Sequence, residues 1–213
     1  SGKDSMKNDY QIGAVKISIP PTLLFSTLGK MEDVRKAVTM DVKKPGDLVY
    51  VLGKTFRELG ASEWYAHHGA VGNGVPRVDA ESAKTRYETL HRAIMAGLVA
   101  SCHDCSDGGL GVALAETAFA GGQGLEIDLA AVPAEGIARN DELLFSESQS
   151  RFVVTVSPQN REAFEALFRG QACARIGMVL SEGVLRIAGL TGKRIVEEEL
   201  TALKAAWQKP LAF

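Results

Sequence analysis

The chain has 213 residues, 46% hydrophobic and 23% charged, with 24 basic against 26 acidic side chains and a net charge of −2. That is the make-up of ordinary folded protein, enough for one large domain or one domain and part of another. The near-even balance of charge gives no electrostatic reason to expect nucleic acid or a membrane surface as a partner.

No apolar run approaches the roughly 18 residues that a membrane-spanning helix needs. No signal-peptide pattern opens the sequence. Three cysteines are an odd number, which points to a reducing, cytoplasmic setting rather than a disulfide framework. The chain opens on Ser1 in mid-pattern and reads as a piece of something longer.

Residues 13–19 alternate small or apolar with polar side chains, the period of a strand, and Pro20-Pro21 breaks it. Residues 22–29 and 36–42 read as two further strands. Pro45-Gly46-Asp47 is turn chemistry, and "LVYVLG" at 48–53 reads as a buried strand. A domain boundary is expected near Lys44, dividing 1–44 from 45–213. Residues 60–79 carry four glycines and a proline and read as a long loop. His67 and His68 are expected to be solvated loop residues, and Trp64 and Tyr65 to anchor the loop.

Asp79 is placed to cap a helix whose face carries Ala83, Tyr87, Leu90, Ile94 and Leu98. "LVASC" at 98–102 reads as a strand leading into "HDCSDGGLGVALAE", and Gly121-Gly122 ends the helix that follows. Then come a strand at 125–129, a short helix capped by Asn140, a strand at 151–156, and a helix begun by Ser157-Pro158 and ended by Gly170. "ARIGMVL" and "VLRIAGL" around "SEG" suggest a hairpin. A last helix near 197–208 is expected to bury Leu200, Leu203 and Trp207. Hairpins mixed with crossovers suggest α+β layers rather than a doubly wound Rossmann fold.

The stretch "SCHDCSDGGL" carries the chemistry. Ser106 or Asp107 is the natural N-cap of the helix after it. Gly108 and Gly109 have no side chain to keep an anion from the unpaired first-turn amides, where the helix dipole is positive. Asp104, at the end of the strand, could hold Mg²⁺, which prefers one or two carboxylates plus phosphate oxygens. An ordinary strand-to-helix turn explains the same residues equally well. Cys102-x-x-Cys105 has no second pair, since Cys173 is distant and alone, so structural cysteines are favoured over zinc or redox use. Gly53-Lys54-Thr55 lacks the upstream glycine of a phosphate-binding Walker loop, because position 48 is Leu. Lys3 and Asp4 are read as part of a solvated terminus.

"SGKDSMKNDY", "PPTLLFSTLGKMEDVRKAVTMDVKKPGDLVYVLG", "HDCSDGGLGVALAE" and "LLFSESQSRFVVTV" followed by "ARIGMV" are successive landmarks in one order. Together they resemble phosphoribosylformylglycinamidine (FGAM) synthase, within the aminoimidazole-ribotide (AIR)-synthetase-like ATP-binding superfamily. The resemblance implies a layered α/β/α domain with a mixed sheet over 45–213. Residues 1–44 would then be the tail of a barrel-forming domain that has lost its sheet partners.

The resemblance further implies ATP-dependent, glutamine-fed amidation of formylglycinamide ribonucleotide. By the family's "HD-x-S-DGG" wording, Asp104 corresponds to a Mg²⁺ ligand and Ser106 to an ATP/ADP contact, at a site thought auxiliary rather than catalytic. The implied partners are the barrel-forming ATP domains and a glutaminase domain or subunit, and the piece alone is expected to lack synthase activity. The alternatives are a non-catalytic assembly module, in which "SDGGL" is only a helix start, or a related ATP-dependent synthetase such as the hydrogenase-maturation or thiamine-phosphate kinase types.

Overall fold

The structure is a computed structural model that describes residues 2–5, 8–19 and 22–211. Pro20 and Pro21, the expected strand break, lie outside these residues, as do the side chains of Lys3 and Asp4. The chain forms two compact units, residues 1–35 and 36–213.

In the smaller unit, β1 (Gly2–Ser5) pairs antiparallel with β4 (Thr22–Phe25). Between them in sequence, β2 (Asn8–Ile12) and β3 (Val15–Ile19) form a hairpin. Gly13 turns it at φ 55°, a left-handed conformation that costs glycine little. Tyr10 stands opposite Ile17 and Ile12 opposite Val15, and the four are 59, 55, 63 and 63% exposed respectively. Strand alternation thus puts an apolar face on this hairpin that stays exposed among the described residues.

The larger unit runs in order β5 (Leu48–Leu52), β6 (Thr55–Phe56), α1 (Glu63–His67), α2 (Ala80–Met95), β7 (Ser101–Asp104), α3 (Gly109–Gly121) and β8 (Leu125–Asp128). It continues through β9 (Ala134–Glu135), α4 (Asn140–Phe145), β10 (Phe152–Val156), α5 (Arg161–Leu167), β11 (Cys173–Val179), β12 (Val184–Ala188), β13 (Arg194–Glu199) and α6 (Leu200–Gln208). Seven strands form one mixed sheet in the order β13-β12-β8-β11-β5-β10-β7. All neighbours in it are antiparallel except β8 and β12.

Both faces of the sheet are covered, which makes the layered α+β architecture. Val49 and Val51 of β5 join Val153, Leu110, Leu114 and Leu143 in one core, with α3, α4 and α6 on that side. Leu48, Tyr50 and Leu52 point the other way, to Leu90 and Ala93 of α2 and Phe164 of α5. Alternation along a strand buried on both faces is why "LVYVL" reads as an unbroken apolar run. Asp79 caps α2 as expected, accepting from Ser82 N–H at 3.2 Å. Leu90 and Ala83 are buried and Tyr87 is 46% exposed.

Several elements depart from expectation. Residues 36–42 are not a strand. They run beside β7, give Thr39 O to the Cys102 N–H (3.1 Å) and turn the Val42 N–H to Thr117 O in α3 (3.3 Å), so Val42 packs on a helix. Residues 60–79 contain one helical turn, α1, capped by Ser62 through Tyr65 N–H at 3.3 Å. The strand expected at 98–102 lies at 101–104.

β11 and β12 are not a hairpin, because β8 lies between them, antiparallel to the first and parallel to the second. The hairpin is β12–β13, and β13 takes the start of the expected last helix. Of that helix's apolar residues, Leu200 is buried but Trp207 is 51% exposed. Asn140 does not cap α4: its Oδ1 accepts the Leu190 N–H at 2.9 Å, and Glu142 reaches back to the Arg139 N–H instead.

Candidate functional site

Asp104 ends β7 directly opposite Phe152, the first residue of β10, which in turn stands opposite Leu52, the last residue of β5. Leu52 also faces Cys173, the first residue of β11. One end of the sheet therefore gathers the turns after Leu52 and Asp104 and before Phe152 and Cys173. Such an end, where several turns converge, can assemble side chains that are far apart in sequence.

The Asp104 side chain is 62% exposed. Ser106 Oγ donates to its Oδ2. That bond first, and the neighbouring His103 after it, hold the carboxyl below the usual carboxylate range against a partial burial that works the other way. Asp104 is thus ionised at neutral pH. His103 Nδ1 stands 3.5 Å from Asp104 Oδ1. Its Nε2 is 2.8 Å from Glu116 Oε2, and Glu116 Oε1 accepts from Trp207 Nε1 at 2.8 Å. Asp104 is therefore backed by a chain of polar contacts that ends in α6.

Neither Ser106 nor Asp107 caps α3. The N-cap is Gly108, left-handed at φ 76°, with no side-chain cap bond. The Gly108 N–H donates to Glu147 Oε1 at 2.8 Å, and the Gly109 N–H to Ser106 O at 2.9 Å. A protein carboxylate from the turn before β10 thus meets the first amide where an anion was expected. The same Glu147 oxygen accepts the Glu63 N–H at the start of α1 (2.9 Å).

A Cβ on Gly109 would stand 2.4 Å from Ser146 O and 2.9 Å from Leu144 O. Gly109 therefore lets the start of α3 press against the end of α4, where the positive end of one helix meets the carbonyls of the other. Arg151, 1% exposed, holds this corner from beneath. Its guanidinium donates to Ser148 O (2.8 Å), Thr55 Oγ1 (2.8 Å) and Ser146 O (2.5 Å).

Sequence reading missed Glu147 and Arg151. Their signal was present as a polar run, Ser146 to Arg151, between an apolar helix and an apolar strand. Its residues had no assigned partner because their partners are distant in sequence. Trp64 does anchor its loop, stacking on Phe145 with ring centroids 4.2 Å apart. His67 and His68 pack edge to face, and His68 Nδ1 is 2.8 Å from Trp64 O.

All three cysteines are free. Burial pushes the Cys102, Cys105 and Cys173 thiols up to about 12, about 11 and about 12, so they are protonated at neutral pH. Among the described residues no group of three His, Cys, Asp or Glu side chains is placed to hold a metal ion, and no helix is long and apolar enough to cross a membrane.

Residues 44–189 match the family described as AIR synthase related protein, C-terminal domain. The chain belongs to that family. Among relatives, it is 40% identical over 192 residues to the phosphoribosylformylglycinamidine synthase subunit PurL of Thermococcus sibiricus, covering 90% of this chain and 26% of that protein. To the subunit of the same name from Moorella thermoacetica it is 33% identical over 211 residues, covering 99% and 28%. It thus spans about a quarter of the length of these relatives.

Among solved structures, T. maritima PurL complexed with FGAR superposes with a TM-score of 0.71 at 25% identity, over 80% of this chain and 30% of that one. T. maritima PurL complexed with ATP superposes with a TM-score of 0.65 at 25% identity, over 80% and 27%. The family's domain accounts for the mixed sheet with helices on both faces.

Proposed function

We propose that this chain is the C-terminal portion of an FGAM synthase, and that it contributes an auxiliary Mg²⁺–nucleotide site with Asp104 as metal ligand and Ser106 as nucleotide contact. The parent reaction is that of a ligase in purine biosynthesis. Formylglycinamide ribonucleotide, ATP, glutamine and water give formylglycinamidine ribonucleotide, ADP, phosphate and glutamate. The similarity to PurL proteins over nearly the whole chain supports this, as does the ATP and FGAR named for the solved ones.

The observation that carries the site is the ionised, exposed Asp104 carboxylate at the convergent end of the sheet. One carboxylate is a fitting share of a Mg²⁺ shell only if phosphate oxygens and water complete it, so the donor set suits a metal that arrives with a nucleotide. Bound Mg²⁺–nucleotide would supply charge neutralisation of the phosphates. The chain's own part is to hold the carboxylate: Ser106 fixes one oxygen and His103 flanks the other. The remaining ligands would come from the barrel-forming domains of the parent enzyme, with a glutaminase domain or subunit supplying ammonia. Residues 1–44 would be the tail of one such barrel domain, its apolar hairpin face covered there. Three protonated thiols suit the cytoplasm.

A second reading is favoured by one observation. The Gly108 and Gly109 amides are already paired, and Gly109 packs on α4. On that reading "SDGGL" is a helix start and the domain serves assembly. Isothermal titration of Mg-ADP into the full-length parent enzyme separates the two. Asp104→Ala is expected to weaken binding at least about ten-fold, the worth of one charge-assisted contact. Unchanged affinity would leave only the assembly reading. The 213-residue chain alone is expected to form no FGAM from ammonia, ATP and substrate.

A further inference from the structure

The loop before α2 carries a pair of residues that can react with each other. Of the four asparagines in the chain, Asn73 alone is followed by glycine; Asn8, Asn140 and Asn160 precede Asp9, Asp141 and Arg161. The structure separates them further. Asn140 is pinned, its Oδ1 accepting the Leu190 N–H at 2.9 Å, and Asn160 Nδ2 donates to Gly97 O at 3.2 Å. Asn73 is exposed, and its side-chain amide has no hydrogen-bond partner among the described residues.

Gly74 supplies the other half. It is exposed, and its N–H makes no hydrogen bond among the described residues. It has no Cβ to shield that nitrogen, and at φ 81° it sits where glycine is at ease. A nucleophile and a carbonyl carbon held in adjacent residues react without the cost of a bimolecular encounter. Asparagine is for this reason a thermolabile residue.

We infer that Asn73 is a site of spontaneous deamidation, and that the isoaspartyl product unties the loop. The Gly74 nitrogen attacks Asn73 Cγ. A C–N bond forms, the bond from Cγ to Nδ2 breaks, and the proton lost by Gly74 is balanced by the one Nδ2 takes up as it leaves as ammonia. The resulting succinimide adds one water. Opening at one carbonyl gives aspartate; opening at the other routes the main chain through the former side chain and gives isoaspartate. No oxidant, metal or cofactor enters.

The packing sets the consequence. The Asn73–Gly74 peptide lies on Gly60, where a Cβ would stand 2.8 Å from the carbonyl carbon of each. The Gly60 N–H donates to Gly74 O at 3.0 Å and the Ala61 N–H to Val71 O at 2.7 Å. The Arg77 N–H donates to Glu58 Oε1 at 3.0 Å. These bonds tie residues 71–77 back to 58–61. An isoaspartyl link inserts one extra backbone atom between Val71 and Gly74, so the Gly60 and Ala61 bonds cannot both keep their register.

The inference is independent of Asp104 and Ser106. Its test is prolonged warming of the 213-residue chain at neutral and mildly alkaline pH, followed by mass spectrometry of the tryptic peptide 58–77. Progressive loss of the amide form is expected, faster at the higher pH because the attacking nitrogen must lose its proton. Asn8, Asn140 and Asn160 should stay intact. An isoaspartyl methyltransferase with S-adenosylmethionine should label the product, and Asn73→Gln, whose longer side chain closes a ring less readily, should stay unlabelled. Hydrogen exchange should show the Gly60 and Ala61 amides losing protection in the converted fraction. A free peptide of the 58–77 sequence gives the unrestrained rate. An amide that survives in the folded chain while the free peptide converts would overturn the inference, as would conversion that leaves both amides protected.

Discussion

Asp104 and Ser106 lie two positions apart, and their side chains bond to each other. The bond stabilises the ionised carboxylate, so the folded pKa lies below the ordinary value of about 3.9. The sign follows from linkage. Whatever this contact adds to stability is fully present above the unfolded pKa and is lost as pH falls through the lower folded one. Exposure and salt screening keep that contribution small. A ¹³C NMR titration of the Asp104 carboxyl should give a midpoint below the ordinary carboxylate range. Ser106→Ala should move the midpoint upward, because the hydroxyl that donates to the charged carboxylate is gone. A midpoint unchanged by the substitution would show that the hydroxyl does not hold the charge.

The start of α3 shows how an element is set by what packs against it. Its periodic apolar face is local information: Leu110, Ala113, Leu114, Thr117 and Ala118 are all buried. Its cap is not local, because the carboxylate on the Gly108 amide belongs to Glu147, 39 residues away. Gly109 is left-handed at φ 64° and touches the α4 carbonyls. Gly109→Ala should therefore cost about 2–4 kcal/mol, the sum of a left-handed penalty and overpacking against backbone that cannot retreat. Urea denaturation measures it. A loss well under 1 kcal/mol would mean that α4 gives way freely. The same distinction explains the strand order. Each of β8, β11 and β12 shows in its own residues, but nothing within β11 or β12 announces that β8 will lie between them.

At the scale of the whole chain, the compact units divide between Arg35 and Lys36, whereas turn chemistry placed the sequence boundary near Lys44. Val42 is 2% exposed, against Thr117 O and Gly121 of α3. A chain beginning at residue 36 should unfold cooperatively, with the stability of the larger unit intact. One beginning at residue 45 should be about 1.5–3 kcal/mol less stable through loss of the buried valine, together with the cover along β7. Thermal melts of the two truncations decide between the boundaries: equal stability would favour residue 44. The smaller unit should gain little by itself, since two-stranded hairpins are marginal in water without a covered face.

The sequence alone determined the features that reside in short windows. These are the doubly buried strand at 48–52, the Asp79 cap, the helical stripe after Gly109, and the carboxylate and hydroxyl at the end of β7. Tertiary structure decided which strand lies beside which, and which group fills each vacant hydrogen-bonding position. It set Glu147 on the Gly108 amide, Arg151 beneath the turn before β10, and Arg86 on the Ser150 carbonyl. The physical reason is range. Periodicity, capping and turn preference act within a few residues, whereas a buried donor takes its acceptor from whatever the packed sheet brings near.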